Sequence, residues 1–87
     1  MSSKVYILLG LTGGNPGQAA RTLNGMLGVK NVEILEGSPE LLIVLEARQR
    51  KQLAEMTVRA LEAVNDMIGS VKLLPVMEAA VSNTVKN

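Results

Sequence analysis

Two stretches of this 87-residue chain are apolar at almost every position. Residues 5–11 are interrupted only by Gly10, and residues 41–45 are not interrupted at all. Short, unbroken apolar runs with β-branched residues are typical of strands that are covered on both faces. Residues 29–36 and 71–77 are less continuous, and we interpret them as two further strands.

A first helix is predicted between the first two strands. Asn15 followed by Pro16 is typical of an N-cap and a first helical position. Ala20, Leu23 and Leu27 then recur at helical spacing, and Gly28 is placed to end the helix as a C-cap glycine.

A second, longer helix is predicted over residues 48–66. Its apolar positions form one stripe that we expect to face the core: Leu53, Met56, Ala60, Leu61, Val64, Met67 and Ile68. Lys51, Glu55 and Arg59 occupy the other side at i,i+4 spacing. We expect Gly69 and Ser70 to end this segment before the last strand.

The resulting order, βαββαβ, predicts an α+β, ferredoxin-like two-layer sandwich. In this plan an antiparallel four-stranded sheet carries two helices on one face, and the first and third strands are central. The two runs that are apolar throughout are the first and third strands. Pro75 falls in the fourth, where an edge tolerates a missing donor.

The face of this sheet that carries no helix is expected to be apolar as well. In the central strands, both alternating sets of side chains are apolar. One set faces the helices, so the other apolar set would be exposed to water. Such a patch is larger than monomers usually expose, which predicts a homo-oligomer, a dimer or higher, paired through the sheet. The residues expected at this contact are Tyr6, Leu8, Leu42, Val44, Leu74 and Val76.

The chain is expected to form a single domain, 1–87, with its core in 4–78 and a C-terminal tail, 79–87. The alternative to sheet pairing is that this tail folds over the open face. Its apolar residues are Ala79, Ala80, Val81 and Val85, which makes it a poor cover.

Composition excludes several functions. The absence of cysteine and histidine removes thiol and imidazole catalysis and the usual zinc ligands, and no carboxylate pair has a catalytic spacing. We therefore expect no enzyme, metal or cofactor. A net charge of +1 and a single aromatic, Tyr6, argue against direct nucleic-acid binding. No signal peptide or membrane span is evident, so a cytoplasmic location is expected.

Two motifs have both a functional and a structural interpretation. The glycine-rich segment 13–17 follows a strand and opens a helix, as phosphate cradles do, but it lacks the P-loop and dinucleotide spacings. Pro16 also removes one amide donor, so a structural turn is favoured over an anion site. The second motif is a cluster of positive charges at the start of the second helix: Arg48, Arg50 and Lys51. Cations at this end are unfavourable to the helix dipole, which could mark a binding site for acidic groups of a partner. An ordinary solvent-exposed helix face is the favoured interpretation.

Residues 28–44 resemble part of the effector domain of the Lrp/AsnC regulators. This segment runs from Gly28-Val29 through the turn Gly37-Ser38-Pro39-Glu40 into the third strand. That family shows Gly-Val after the first helix and Gly-x-x-Asp before an apolar third strand. Here Glu40 stands at the Asp position, and residues 73–76 replace threonines common in the family. The resemblance implies a stand-alone domain without the DNA-binding part, which pairs through its sheet and binds a small amino-acid-like ligand with Gly37, Ser38 and Glu40.

A rival resemblance is to NapD-type cytoplasmic assembly chaperones. They share the βαββαβ plan and an apolar third strand ending like Leu45-Glu46-Ala47, and they bind a signal peptide on the sheet. Bacterial microcompartment shell subunits share the plan too, with a last strand that ends near a proline, as at Pro75. A peptide partner is therefore the alternative to a small ligand.

Overall fold

A computed structural model describes residues 2–76 of the chain. The elements are β1 (Ser3–Leu11), α1 (Pro16–Asn24), β2 (Val29–Ile34), β3 (Leu41–Ala47), α2 (Arg50–Ala63), a short 3-10 turn (Asn65–Met67) and β4 (Ile68–Pro75). The βαββαβ, ferredoxin-like fold is thereby confirmed. The predicted tail, 79–87, lies outside the described residues.

The sheet has the order β2-β3-β1-β4, and all of its neighbouring strands are antiparallel. The two runs that are apolar at almost every position are the two central strands, as predicted. Pro75 lies in the edge strand β4, opposite Val5.

The core lies between the sheet and the two helices. Register pairs Val5 with Leu45, Ile7 with Ile43, and Leu9 with Leu41, so these side chains share one face. The helices and the C-cap residue of α2, Val64, cover that face. Five further residues are almost fully buried there: Ala19, Leu23, Leu53, Ala60 and Val64. Within residues 2–76, no helix lies on the opposite face.

The boundaries of α1 agree with the sequence at the start of the helix and differ from it at the end. The Asn15 carboxamide Oδ1 accepts hydrogen bonds from the backbone N–H of Gly17 at 2.8 Å and of Gln18 at 3.3 Å, which is the predicted N-cap. The helix ends at Asn24 with Gly25 as its C-cap, not at Gly28. Leu27 was predicted to continue the helical spacing, but it lies beyond the end of the helix and is 76% exposed.

Gly28 has a different structural role from the one predicted. Its φ of 90° lies in the region that favours glycine, and it forms the turn that leads into β2. A Cβ at this position would collide with the Met56 side chain, so the turn packs directly on α2.

The second helix is shorter than predicted. It spans Arg50–Ala63, and the chain then makes the 3-10 turn before entering β4 at Ile68. Gly69 and Ser70 are strand residues and not helix terminators, and Met67 and Ile68 do not belong to the helical stripe. Register explains the difference, because Ile68 pairs with Leu11 and Ser70 pairs with Gly10.

Candidate functional site: the open face of the sheet and an adjoining pocket

One face of the sheet, called here the open face, is covered by no helix of residues 2–76. It brings together all six residues predicted for the oligomer contact. Tyr6 lies between Val44 and Leu74, and Leu8 lies beside Leu42. Val76 follows two residues after Leu74, and its N–H donates to the Lys4 carbonyl at 2.9 Å. Leu74 is 41% exposed and Val76 40% exposed, and the other four are partly exposed. The six side chains form one apolar stripe across β3, β1 and β4.

The borders of this stripe are polar, which the sequence analysis did not anticipate. On β2, Asn31 lies opposite Val44 and Glu33 opposite Leu42, and Asn31 donates to the Glu33 carboxylate at 3.1 Å. On β4, Lys72 lies opposite Leu8. An apolar centre with a polar rim is the usual anatomy of a protein interface.

A small pocket of ≈ 230 Å³ opens at the end of the stripe that lies near the β2–β3 turn. Its lining residues are Leu8, Ser38, Pro39, Ser70, Val71 and Lys72. The pocket thus joins the predicted ligand residue Ser38 to the predicted contact residue Leu8. It also contains Ser70 and Lys72, which the sequence analysis missed. Lys72 is the single charge in an otherwise apolar last strand, a signal that could have identified it.

Glu40 joins the ends of three strands and does not line the pocket. Its carboxylate Oε1 accepts from the Leu11 N–H at 2.8 Å, and its own N–H donates to the Leu9 carbonyl at 3.0 Å. Its carbonyl accepts from the Leu35 N–H at 2.7 Å. The carboxylate thereby adds a hydrogen bond beyond the last residue pair of the β1–β3 ladder. Its Oε1 therefore stabilises the end of the sheet.

Gly37 forms the sharpest part of the turn between β2 and β3. Its φ is 93°, a conformation in which a side chain would be strained, and open space surrounds the position where a Cβ would be. The Ser38–Pro39 peptide bond is cis. Gly37 therefore shapes the loop that presents Ser38 and Pro39 to the pocket.

Polar side chains gather at the opposite end of the open face. Ser2 Oγ donates to Glu46 Oε2 at 2.6 Å. This hydrogen bond is the main reason that the pKa of the Glu46 carboxyl is lowered; desolvation opposes it, and Lys4 and Lys30 add smaller lowering effects. Ser2, Lys30, Glu46 and Arg48 border a shallow depression of ≈ 260 Å³ there. The Arg48, Arg50 and Lys51 side chains are exposed.

The glycine-rich segment 13–17 has the geometry of a capped turn. The Asn15 side chain occupies the N–H groups of Gly17 and Gln18 that an anion would need, and a Cβ at Gly14 would collide with Met67. Close packing against the 3-10 turn and a filled N-cap support the structural interpretation.

Among residues 2–76, no helix is both long enough and apolar enough to cross a bilayer. No protein-family model matches the sequence, and no curated protein matches it significantly.

Solved structures do match the fold. A hypothetical protein of Pyrococcus horikoshii superposes with a TM-score of 0.77 at 17% identity, covering 90% of this chain and 93% of that one. AsnC of E. coli gives 0.75 at 18% identity, with 90% of this chain and 52% of AsnC covered. A Neisseria meningitidis transcriptional regulator, solved as a complex with L-Met, gives 0.65 at 9% identity, covering 90% and 51%.

The Pyrococcus protein is matched over nearly its whole length, whereas this chain spans only about half of AsnC and of the Neisseria regulator. At such identities the likeness is one of fold, and it agrees with the resemblance carried by residues 28–44. The chain has the fold shared with Lrp/AsnC-type regulators.

Proposed function

We propose that this chain is a non-catalytic sensing domain that associates with copies of itself through the open face and takes an amino-acid-like ligand in the pocket at its end. The observation that supports the first part is the apolar stripe with its polar rim. The observation that supports the second is the position of Leu8, which belongs to both the stripe and the pocket.

The energetics of the open face favour a contact that buries most of the stripe. At ~25 cal/mol per Å², burying roughly 400 Å² of apolar surface contributes about 10 kcal/mol. Association costs on the order of 4–15 kcal/mol. A contact at one end of the stripe would not offset that cost, so the central strands must take part.

Replacing Leu42 tests the assembly. Leu42→Asp places a carboxylate in the stripe, between Leu8 and Glu33, and desolvating it on association is costly. We expect the mass in solution, measured by light scattering, to fall to that of a monomer. Leu27→Asp is the matched control, because Leu27 is 76% exposed and should leave the mass unchanged.

A wild-type protein that is already monomeric at micromolar concentration would contradict the assembly proposal. If that monomer bound a signal-type peptide on the open face, the result would favour the chaperone alternative. An assembly that is indifferent to Leu42→Asp would place the contact on another surface.

The pocket suits a small zwitterion. Its volume of ≈ 230 Å³ is close to the volume that about seven or eight water molecules occupy in the liquid, at ~30 Å³ each. Lys72 offers a cation to a carboxylate, Ser38 and Ser70 offer hydroxyls, and Leu8 and Pro39 offer an apolar wall to a side chain. The L-Met complex of the Neisseria regulator supports this ligand class.

Lys72→Gln tests the ligand assignment. Charge-assisted hydrogen bonds contribute about 1.5–3 kcal/mol, so we expect the affinity for L-Met or a similar L-amino acid, measured by calorimetry, to fall about tenfold or more. Arg59→Gln removes an equal charge from the exposed side of α2 and should leave binding unchanged. Equal heats for the wild type and Lys72→Gln would contradict the proposed site.

A further inference from the structure

Gly10 is the one interruption in the apolar run of β1. It lies in a central strand, pairs with Ser70 of β4 and is buried. A glycine inside a strand weakens the strand, because it has no side chain to pack. Its φ lies outside the positive range that Gly28 and Gly37 adopt, so the backbone does not require a glycine here. The reason for this glycine therefore lies in what surrounds the missing side chain.

Polar side chains on both sides of β1 approach the place where a Cβ of Gly10 would lie. A Cβ there would overlap Ser70 Oγ, and it would lie 3.8 Å from Glu40 Oε1. Glu40 Oε1 is held in place because it accepts the hydrogen bond from the Leu11 N–H. The Ser70 hydroxyl thus lies over Gly10, in a space that any other residue of β1 would fill with its own side chain.

A register shift in β4 comes directly before Ser70. Gly10 pairs with Ser70 and Leu11 pairs with Ile68, so the register passes over Gly69, which is the extra residue of a bulge. Bulges are frequent beside binding and active sites, where they re-aim a side chain. The bulge and the glycine of β1 therefore act on the same side chain, the hydroxyl of Ser70.

Ser70 and Lys72 lie on the same face of β4, because side chains two residues apart in a strand point to the same side. Both line the pocket of ≈ 230 Å³ together with Leu8, which is the cross-strand partner of Lys72. A hydroxyl donor and an ammonium group on one face can bind the two oxygens of a carboxylate. The ammonium supplies the charge, and the hydroxyl fixes the orientation of the carboxylate.

We propose that Gly10 is a positioning residue of this pocket: it leaves room for the Ser70 hydroxyl, which binds the carboxylate of a small amino acid together with Lys72. The inference rests on the proposed sensing function and adds a residue that acts on the ligand through Ser70. A side chain at position 10 turns the hydroxyl away from the pocket and leaves the charge of Lys72 in place.

Calorimetry tests this role on the full chain, with each L-amino acid alone and then with the one that binds the wild type most tightly. One hydrogen bond contributes roughly threefold to tenfold in affinity, and we expect Gly10→Ala and Ser70→Ala each to lose that much. Because both substitutions remove the same contact, we expect the double variant to bind within about twofold of either single variant. Gly25→Ala is the matched control, because open space surrounds its Cβ position and its affinity should be that of the wild type.

Urea denaturation verifies that each variant is folded, and the affinities then decide the outcome. An unchanged affinity of Gly10→Ala would overturn the positioning role and leave the proposed function in place. Additive losses in the double variant would overturn it too, since Gly10 would then act independently of Ser70. So would an unchanged affinity of Ser70→Ala, a result that does not require Gly10→Ala to fold. If the wild type bound no L-amino acid, the proposed function itself would fail, and this inference with it.

Discussion

At the scale of single residues, Glu40 connects the β2–β3 turn to the centre of the sheet. Its carboxylate receives the Leu11 N–H in a partly buried position, and removing it leaves that donor without its partner. We expect Glu40→Ala to lower the free energy of unfolding by about 1–3 kcal/mol, as measured by urea denaturation. Glu36→Ala is the control, because Glu36 is exposed and its loss should cost less than about 0.5 kcal/mol.

Equal stabilities of Glu40→Ala and Glu36→Ala would show that the Leu11 N–H finds another partner. The sequence resemblance singled out Glu40 as a ligand residue, whereas its side chain does not line the pocket. Its hydrogen bond to Leu11 could not be predicted, because it spans 29 positions of the chain and depends on where β1 and β3 end.

At the scale of elements, α2 begins without a side-chain cap. Gln49 occupies the N-cap position in extended conformation and makes no capping hydrogen bond, and Arg48, Arg50 and Lys51 add positive charge where the helix dipole is already positive. We expect Gln49→Asp to raise the free energy of unfolding by about 0.5–2 kcal/mol, because it supplies a cap and an anion together. Urea denaturation at low ionic strength measures the change.

The control for this substitution is Gln52→Asp, in the first turn of the same helix, which supplies the charge without the cap. We expect it to be less stabilising than Gln49→Asp. If the two variants were equally stable, the benefit would be electrostatic only, and the capping argument would be wrong.

The positions of helices and strands could be predicted from the sequence wherever the local sequence signals agree with the tertiary packing. Asn15 and Pro16 located the start of α1, and unbroken apolar runs located β1 and β3. The errors lie where packing overrides periodicity. Leu27 continues the helical spacing but falls beyond Gly25, and residues 68–70 resemble a helix end but pair with β1 because that strand extends to Leu11.

At the scale of the whole molecule, the open face remains apolar after the two helices of residues 2–76 have packed on the other side of the sheet. In β1 and β3, both alternating sets of side chains are apolar. Periodicity therefore could not show which of the two sets faces the helices. The polar rim from Asn31, Glu33 and Lys72 was also not anticipated, because it depends on the register of the edge strands. That rim restricts the proposed contact to the central stripe.

The most direct test of this account uses Tyr6, which is the only aromatic residue in the chain and lies at the centre of the open face. Quenching of tyrosine fluorescence by acrylamide therefore reports on that face alone. If copies pair through the open face, Tyr6 is protected in concentrated wild-type protein and becomes accessible on dilution or in Leu42→Asp. If Tyr6 is equally accessible in the wild type and in Leu42→Asp at every concentration, the open face is not an interface and the central claim is wrong.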